Sequence, residues 1–424
     1  MTALLDTLNP DQREALDSIK TFLASDAFEM VLKGQAGTGK TYVLQAVVET
    51  VKKRIVFTAP TNKAVKVLRD MLKTEAYRPD CRTIYSLLGL QLMAEGEVKV
   101  IGAPKDEPDL SSYSIVVVDE ASMVNKVLRY HIKQAQTSHP KIKWIFVGDA
   151  WQLPPVGEES SSVWDIPLQV TLTQIMRQDN SIIQLAGQVR GLIETPMRAL
   201  ILKSTDDVKA LSTLDFMHSV LDASASLLAG TSKVAAWRNV RVDEFNKLVR
   251  KQLFAEPEKY PWQPGDRITV LEPVKDMTDN DREGPAKILA TTDDEGVVES
   301  ADIASHPEFS EFECWRIVMR KDDNQLCTLW TLHIRSQGAF TREVARLASA
   351  AKTNRKLWGL FWEFKDAFHK VRHAYAITSH RAQGSTYEKA YVNWRDIMLN
   401  QNRSEAYRSL YVAVSRPKKE LYLG

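Results

Sequence analysis

Gly34-Gln-Ala-Gly-Thr-Gly-Lys-Thr41 is the stretch on which the reading of this chain turns. It has the form G-x-x-x-x-G-K-[ST]. An apolar run, Glu29-Met-Val-Leu-Lys33, precedes it, and a helical pattern, Tyr42–Lys52, follows. Strand, glycine-rich turn and helix in that order make a cradle whose backbone N–H groups face phosphate oxygens. Gly34, Gly37 and Gly39, with Thr38 among them, give the tight path that this approach needs. Lys40 reaches the β and γ oxygens, and the Thr41 hydroxyl is a ligand for Mg2+. A chance glycine-rich turn does not explain the flanking strand and helix. ATP and Mg2+ are the expected ligands.

The pattern extends outward on both sides. Arg54-Ile-Val-Phe-Thr-Ala59, Ser114-Ile-Val-Val-Val118 and Lys143-Trp-Ile-Phe-Val147 are continuous apolar runs, as in a parallel sheet covered on both faces. Helical segments separate them, as βαβ units require. The third run leads into Asp119-Glu120. A carboxylate at the C-terminal end of a strand in such a sheet holds Mg2+ through water, the role of Asp119. Glu120 then polarises the attacking water as a general base. Alone, the pair reads better as a solvated strand end; downstream of a phosphate loop it does not. The fourth run leads into Val147-Gly-Asp-Ala-Trp-Gln-Leu-Pro-Pro-Val156. There Gln152 either senses the γ-phosphate or sits in an ordinary turn stiffened by Pro154-Pro155. Gln12, in Asn9-Pro-Asp-Gln12, has the spacing to close a capping box on the first helix.

Composition sets the outer bounds. The chain has 424 residues, 44% apolar and 26% charged, which excludes a wholly disordered protein and leaves room for several domains. Lys and Arg number 56 against 54 Asp and Glu, so any cationic track for nucleic acid is local. Three cysteines, none in a C-x-x-C pair, fit a reducing compartment and no structural zinc. With no apolar run of the ~18–20 residues a membrane span needs, and no leader-like N-terminus, a cytoplasmic location is expected.

Residues 1–171 read as one α/β domain, interrupted at 89–110, where Gln91–Ile101 has the pattern of a two-stranded hairpin. Its apolar residues Leu92, Met93, Val98 and Val100 either wedge into something or pack inward. Residues 172–256 and 340–424 read as a second α/β domain, split by a β module at 257–339 that is punctuated by Pro257, Pro261, Pro264 and Pro273. Lys287–Thr291, Cys314–Met319 and Gln325–Leu332 are its strands. The acidic stretch Thr291-Thr-Asp-Asp-Glu-Gly296 reads as a solvated loop away from any DNA. Trp358, Phe361 and Trp362 recur at helical spacing, which suits a core stripe for most of them, with one facing DNA still open.

These motifs in this order resemble superfamily 1 helicases, and within them the RecD-like group 1B, most nearly its Dda-like branch. The match runs from Asn9 to Arg416. The resemblance implies two RecA-like domains with parallel sheets, the hairpin as a strand-separating pin, and the late β module as an SH3-like barrel that braces it. It implies an ATP-dependent DNA helicase moving 5′→3′ on single strands, with single-stranded and forked DNA as partners, a single-strand-binding or replication protein as a further one, and a monomeric state. It places Gln12 at adenine, a role it favours over the cap. Ala59-Pro-Thr-Asn-Lys-Ala64 resembles motif Ia, putting Pro60, Thr61, Asn62 and Lys63 on DNA. Thr83-Ile-Tyr-Ser-Leu-Leu88 resembles motif Ib, with Thr83 as the contact and Tyr85 where His is usual. Thr378–Thr386 resembles motif V, with His380, Arg381 and Thr386 on DNA and Gln383 and Gly384 at the nucleotide. Leu172–Arg177 and Tyr411–Arg416 resemble motifs IV and VI, which makes Arg177 and Arg416 arginine fingers. Independently of resemblance, two cations far in sequence from Lys40 suit charge supplied across a cleft when it closes. Two other readings remain: an ATP-switched remodelling module that does not unwind, and the motor subunit of a nuclease complex.

Overall fold

The computed structural model describes residues 3–74, 77–95, 98–102, 107–175, 181–195, 200–275 and 288–424, with backbone alone for 91–95 and 98–100. Arg177 lies outside them. The first half supplies β1 (Glu29–Gly34), β2 (Ile55–Ala59), β3 (Asp80–Thr83), the hairpin pair β4 (Gln91–Glu95) and β5 (Val98–Gly102), β6 (Ile115–Val118), β7 (Lys143–Gly148) and β8 (Gln169–Leu172). Six of these form one sheet in the order β3-β2-β6-β7-β1-β8, every neighbouring pair parallel. Alternate residues of each strand enter separate cores. Met30, Leu32, Phe57 and Val117 pack on one face, and Val31, Val56, Val116 and Phe146 on the other. This double burial is why the strands read as unbroken apolar runs. β4 and β5 pair antiparallel outside the sheet.

The second half opens with β9 (Val208–Ala210) and β10 (Ser232–Ala236). An antiparallel unit follows, built from β11 (Arg267–Val270), β12 (Val274–Lys275), β13 (Ile288–Ala290), β14 (Glu295–Ser305), β15 (Glu313–Lys321), β16 (Leu326–Leu332) and β17 (Val371–His373). Its main sheet runs β16-β15-β14-β11-β17, with β12 and β13 as a separate pair. Finally β18 (Ala376–Thr378), β19 (Tyr387–Val392) and β20 (Pro417–Leu423) join β9 and β10 in a second parallel sheet, β18-β10-β19-β20-β9. The architecture is therefore α/β with two parallel sheets and an antiparallel insertion.

β14 is eleven residues long and has no signature in the sequence. Only Gly296 and Val298 are buried along it, so it shows no apolar alternation. Gly296 is needed because a Cβ there would sit 2.4 Å from the Arg320 carbonyl. The acidic stretch before it is not a solvated loop. Asp293 and Glu295 are largely enclosed and paired with cations, because the turn is pressed against the rest of the molecule. The helices Gln337–Thr353 and Trp358–Ala367 pack on this insertion, where Phe361, Phe364 and Phe368 join Phe312 and Cys314 in one buried cluster. The aromatic stripe is thus core, with Trp358 and Trp362 half-buried at its edge. Helix Trp358–Ala367 also lies against β4.

Candidate active site and nucleic-acid face

In the first sheet β6, β7 and β1 are neighbours, so the loops after their C-terminal ends converge. Those loops carry Asp119-Glu120, Asp149–Gln152 and the phosphate loop. The loop begins at Gly34, where a Cβ would lie 2.5 Å from Thr38 Oγ1, and turns through Gly37 (φ 85°) and Gly39 (φ 81°) into helix Lys40–Thr50. Lys40 Nζ donates to the carbonyls of Gly34 (2.6 Å) and Gln35 (3.1 Å), which holds the ammonium under the loop. Thr41, half-buried, opens the helix beside it.

Gln12 is fully buried and used at both ends. Its Oε1 accepts from the Asn9 amide (3.1 Å), completing the capping box on helix Pro10–Ala24, and its Nε2 donates to the Thr38 carbonyl (3.2 Å). The structure thus realises the capping reading and adds a contact to the phosphate loop.

Asp119 and Glu120 are both enclosed. Burial holds the Asp119 carboxyl above its ordinary range, against the pull of the Glu120 amide and Lys40. Burial first, then the neighbouring Asp119, pushes Glu120 up to about 7, while Arg416 and Lys40 act to lower it. A carboxylate poised there is suited to general-base work near neutrality. Glu120 has left-handed backbone (φ 50°), an unusual conformation for a non-glycine residue that turns its side chain out of the strand. Gln152 is buried with no partner for its Oε1, so its acceptor is free for a ligand or water.

The second sheet's loops form the opposite wall. Gln383 Nε2 donates to Ser122 Oγ (3.0 Å), just beyond Glu120. Gly384 (φ 74°) lies so close that a Cβ would be 3.7 Å from Glu120 Oε1. Helix Arg403–Val414, between β19 and β20, sends Arg408 to the carbonyls of Ala150 (2.7 Å) and Gln152 (2.9 Å) and Tyr411 to Asp149 (2.7 Å). Arg416 is buried at the end of that helix, donating to Val412 O, Ser385 O and Ser415 Oγ while still within electrostatic reach of Glu120. Arg190, on helix Ser181–Glu194, donates to Gln35 Oε1 (2.5 Å) and lies over the Trp151 ring. Arg190, Arg408 and Tyr411 on this wall and Asp149 on the facing one join the two, and reading the sequence did not single them out. For Arg408, Tyr411 and Ser415 the signal was present: their i, i+3, i+7 spacing is one helix face.

A second group of residues lines the other side of the junction. The Thr61 and Thr83 hydroxyls cap helices Asn62–Leu72 and Ile84–Leu87, while Pro60 is buried and Asn62 exposed. Tyr85 packs inward, where burial raises its phenol. Thr386 is exposed. His380 lies 3.6 Å from Glu405, with burial lowering its imidazole. Arg381 pairs with Asp293 at 2.7 Å, and Lys63 sits in the field of Asp293 and Glu295.

Two family models match the chain: an AAA domain over residues 7–210 and a UvrD-like helicase C-terminal domain over 373–423. Full-length relatives include the ATP-dependent DNA helicase dda of Enterobacteria phage T4, 24% identical over 98% of this chain and 99% of that one. The chain is similar, over almost its whole length, to helicases of the superfamily 1B kind. An uncharacterized protein, R530, of Acanthamoeba polyphaga mimivirus is equally similar to this chain, 24% identical over 97% of it and 99% of the viral protein. Among solved structures, Pif1 helicases at forked double-stranded DNA share its fold with a TM-score of 0.54, 16% identity and coverage of 98% and 92%. Bacteroides Pif1 with ADP-AlF3 and single-stranded DNA does so at 0.52, 16% identity, 97% and 91%. No helix among the described residues is long and apolar enough to cross a membrane.

Proposed function

We propose that this helicase-family chain is an ATP-driven motor that moves 5′→3′ along single-stranded DNA and parts a duplex at a fork. One observation carries the reading. The phosphate loop and its carboxylates lie on one wall of a cleft, and the helix bearing Arg416, with the Gln383–Gly384 loop, lies on the other. Charge supplied across such a cleft stabilises a transferring phosphoryl group only when the walls meet. Lys40 holds the phosphates, Glu120 takes a proton from water, Gln152 offers its free oxygen to that water, and Arg416 approaches the γ-phosphate. Arg177 is assigned the companion finger from its motif. Thr41 and Asp119 offer the hard oxygen donors that suit Mg2+, which would supply charge neutralisation at the phosphates. Gln12 has one further N–H for adenine.

The residues at 60–63, 83, 380–381 and 386 form the DNA track. From sequence alone 340–373 goes with the second motor domain; because the helices of 337–367 pack on the insertion and β17 pairs with β11, we place the motor domains at 1–171 and at 172–256 with 374–424, the SH3-like unit and its helices between 257 and 373, and β4–β5 as the pin. Lys40→Ala should abolish DNA-stimulated ATP hydrolysis with an unchanged melting curve, and turnover at the wild-type rate would overturn the site. Strand displacement on 5′-tailed and 3′-tailed duplexes then tests polarity, since unwinding of the 3′-tailed substrate alone excludes the proposed direction.

A further inference from the structure

Tyr411 is almost completely buried, yet its hydroxyl is the centre of a three-part contact. It donates to Asp149 Oδ2 at 2.7 Å and accepts from the Ala36 amide at 3.4 Å. Asp149 has no exposure; its other oxygen takes the Trp151 amide at 3.0 Å. Ala36 belongs to the phosphate loop, Asp149 to the loop after β7, and Tyr411 to helix Arg403–Val414, which Arg416 follows closely. One phenol therefore joins the helix of one wall to two loops of the other. Burial, followed by the charge of Asp149, holds the phenol far above its ordinary range, so it remains protonated and keeps donating.

The two arms differ in strength. A short bond to a buried carboxylate is charge-assisted, whereas a long bond from an amide to a neutral phenol is weak. An anionic phosphate oxygen outcompetes a phenol for a loop amide. A cavity of about 20 Å3, room for about one water, is bordered by Ala36, Tyr411 and Ser415. We propose that Tyr411 is a positioning residue that ties the helix carrying Arg416 to the phosphate loop through Asp149, so that the arginine's approach and the loop's shape change together. The weak arm is the one that nucleotide replaces; the strong arm keeps the helix in register with Asp149 throughout the cycle. This rests on the cleft being the ATP site.

The test is steady-state ATP hydrolysis by the full chain with single-stranded DNA, for Y411F, D149N and the double variant. Phenylalanine keeps the ring's packing and removes only the hydroxyl. Asparagine keeps the shape of Asp149 but turns a donor toward the phenol, leaving the phenolic proton without an acceptor. Each single variant should lose roughly tenfold or more in kcat, the size expected for one hydrogen bond to a charged group. KM for ATP should change less than about threefold, since ground-state binding is not what the latch serves. The double variant should be no worse than either single one, because the pair acts as a unit. Wild-type kcat in Y411F, or losses that multiply in the double variant, would overturn the latch. If Y411F melts below the assay temperature, D149N decides alone by the same kcat criterion. K40A is run alongside: its activity bears on the ATP site as such, so failure of the latch and failure of the site are read separately.

Discussion

Gln12 shows how far a single residue can be read before its surroundings are known. Its place three residues after Asn9 announced the capping box, and both halves of that box form. The bond to the Thr38 carbonyl could not be foreseen, because the phosphate loop comes within reach only after folding. Gln12→Ala should cost about 1 kcal/mol of stability from the cap, read in thermal melting. It should also raise KM for ATP more than KM for GTP; equal changes would confine Gln12 to capping. Gly39 is constrained from two directions: its φ is 81°, and a Cβ would lie 2.3 Å from Gln12 Nε2. Gly39→Ala should weaken nucleotide binding by tenfold or more, given ~1–2 kcal/mol of backbone cost plus the clash. Binding of single-stranded DNA should stay within about twofold, and an unchanged nucleotide affinity would show that the loop adapts.

At the level of elements, the junction between insertion and motor is where the sequence misled and where charge is most concentrated. Asp293 is in left-handed backbone (φ 68°) at the turn before β14 and occupies Arg381, while Glu295 faces Lys233, Arg267 and Lys63. A row of acids looks like a solvated loop until its cations arrive from four separate segments. If Arg381 and Lys63 lie on the DNA track, a phosphate must displace Asp293 to reach them. Asp293→Asn should therefore tighten single-stranded DNA binding severalfold at low salt. It should also steepen the salt dependence, by about 0.7 in log–log slope for each cation released. The same affinity and slope as wild type would remove both residues from the track. The junction also has an acid limit. His369 and His373 are pushed down to about 4, chiefly by burial, and His373 stacks on Tyr375 and lies 3.9 Å from Asp266, in the field of Arg250. Below about pH 6.5 the unfolded chain takes up protons that these folded imidazoles refuse, so stability falls as pH drops from 6.5 toward 4. Glu295, held down to about 2 by Lys233, Lys63 and Arg267 against its burial, adds the complementary loss as pH falls from about 4.5 toward 2. Each histidine contributes at most roughly 3 kcal/mol. Melting temperatures that do not change between pH 7 and 5 would contradict the enclosed, neutral state of both rings.

For the whole molecule, what could be read in advance was whatever is local. The phosphate loop, the carboxylate pair and the four central strands of the first sheet are decided within a few residues of themselves. The closing of the cleft is not: Arg190 meets Gln35 across 155 residues, and Tyr411 meets Ala36 across 375. No spacing rule reports such contacts, which exist because two sheets present their C-terminal edges to each other. The same separation of parts suggests that hydrolysis and strand separation can be uncoupled. The groups described at the cleft belong to loops and helices around the two parallel sheets, whereas β4–β5 stands outside the first sheet and meets helix Trp358–Ala367 of the insertion. A pin braced in this way would part strands without touching the phosphates. Replacing residues 91–100 with a short Gly-Ser linker, which keeps Ile101 packed on the core of the first sheet, should leave DNA-stimulated ATP hydrolysis within about twofold. Unwinding of a 5′-tailed fork should fall below a tenth of the wild-type rate. If the shortened protein still unwinds at full rate, strands are separated elsewhere, and the brace between β4 and the insertion serves only to hold the two halves together.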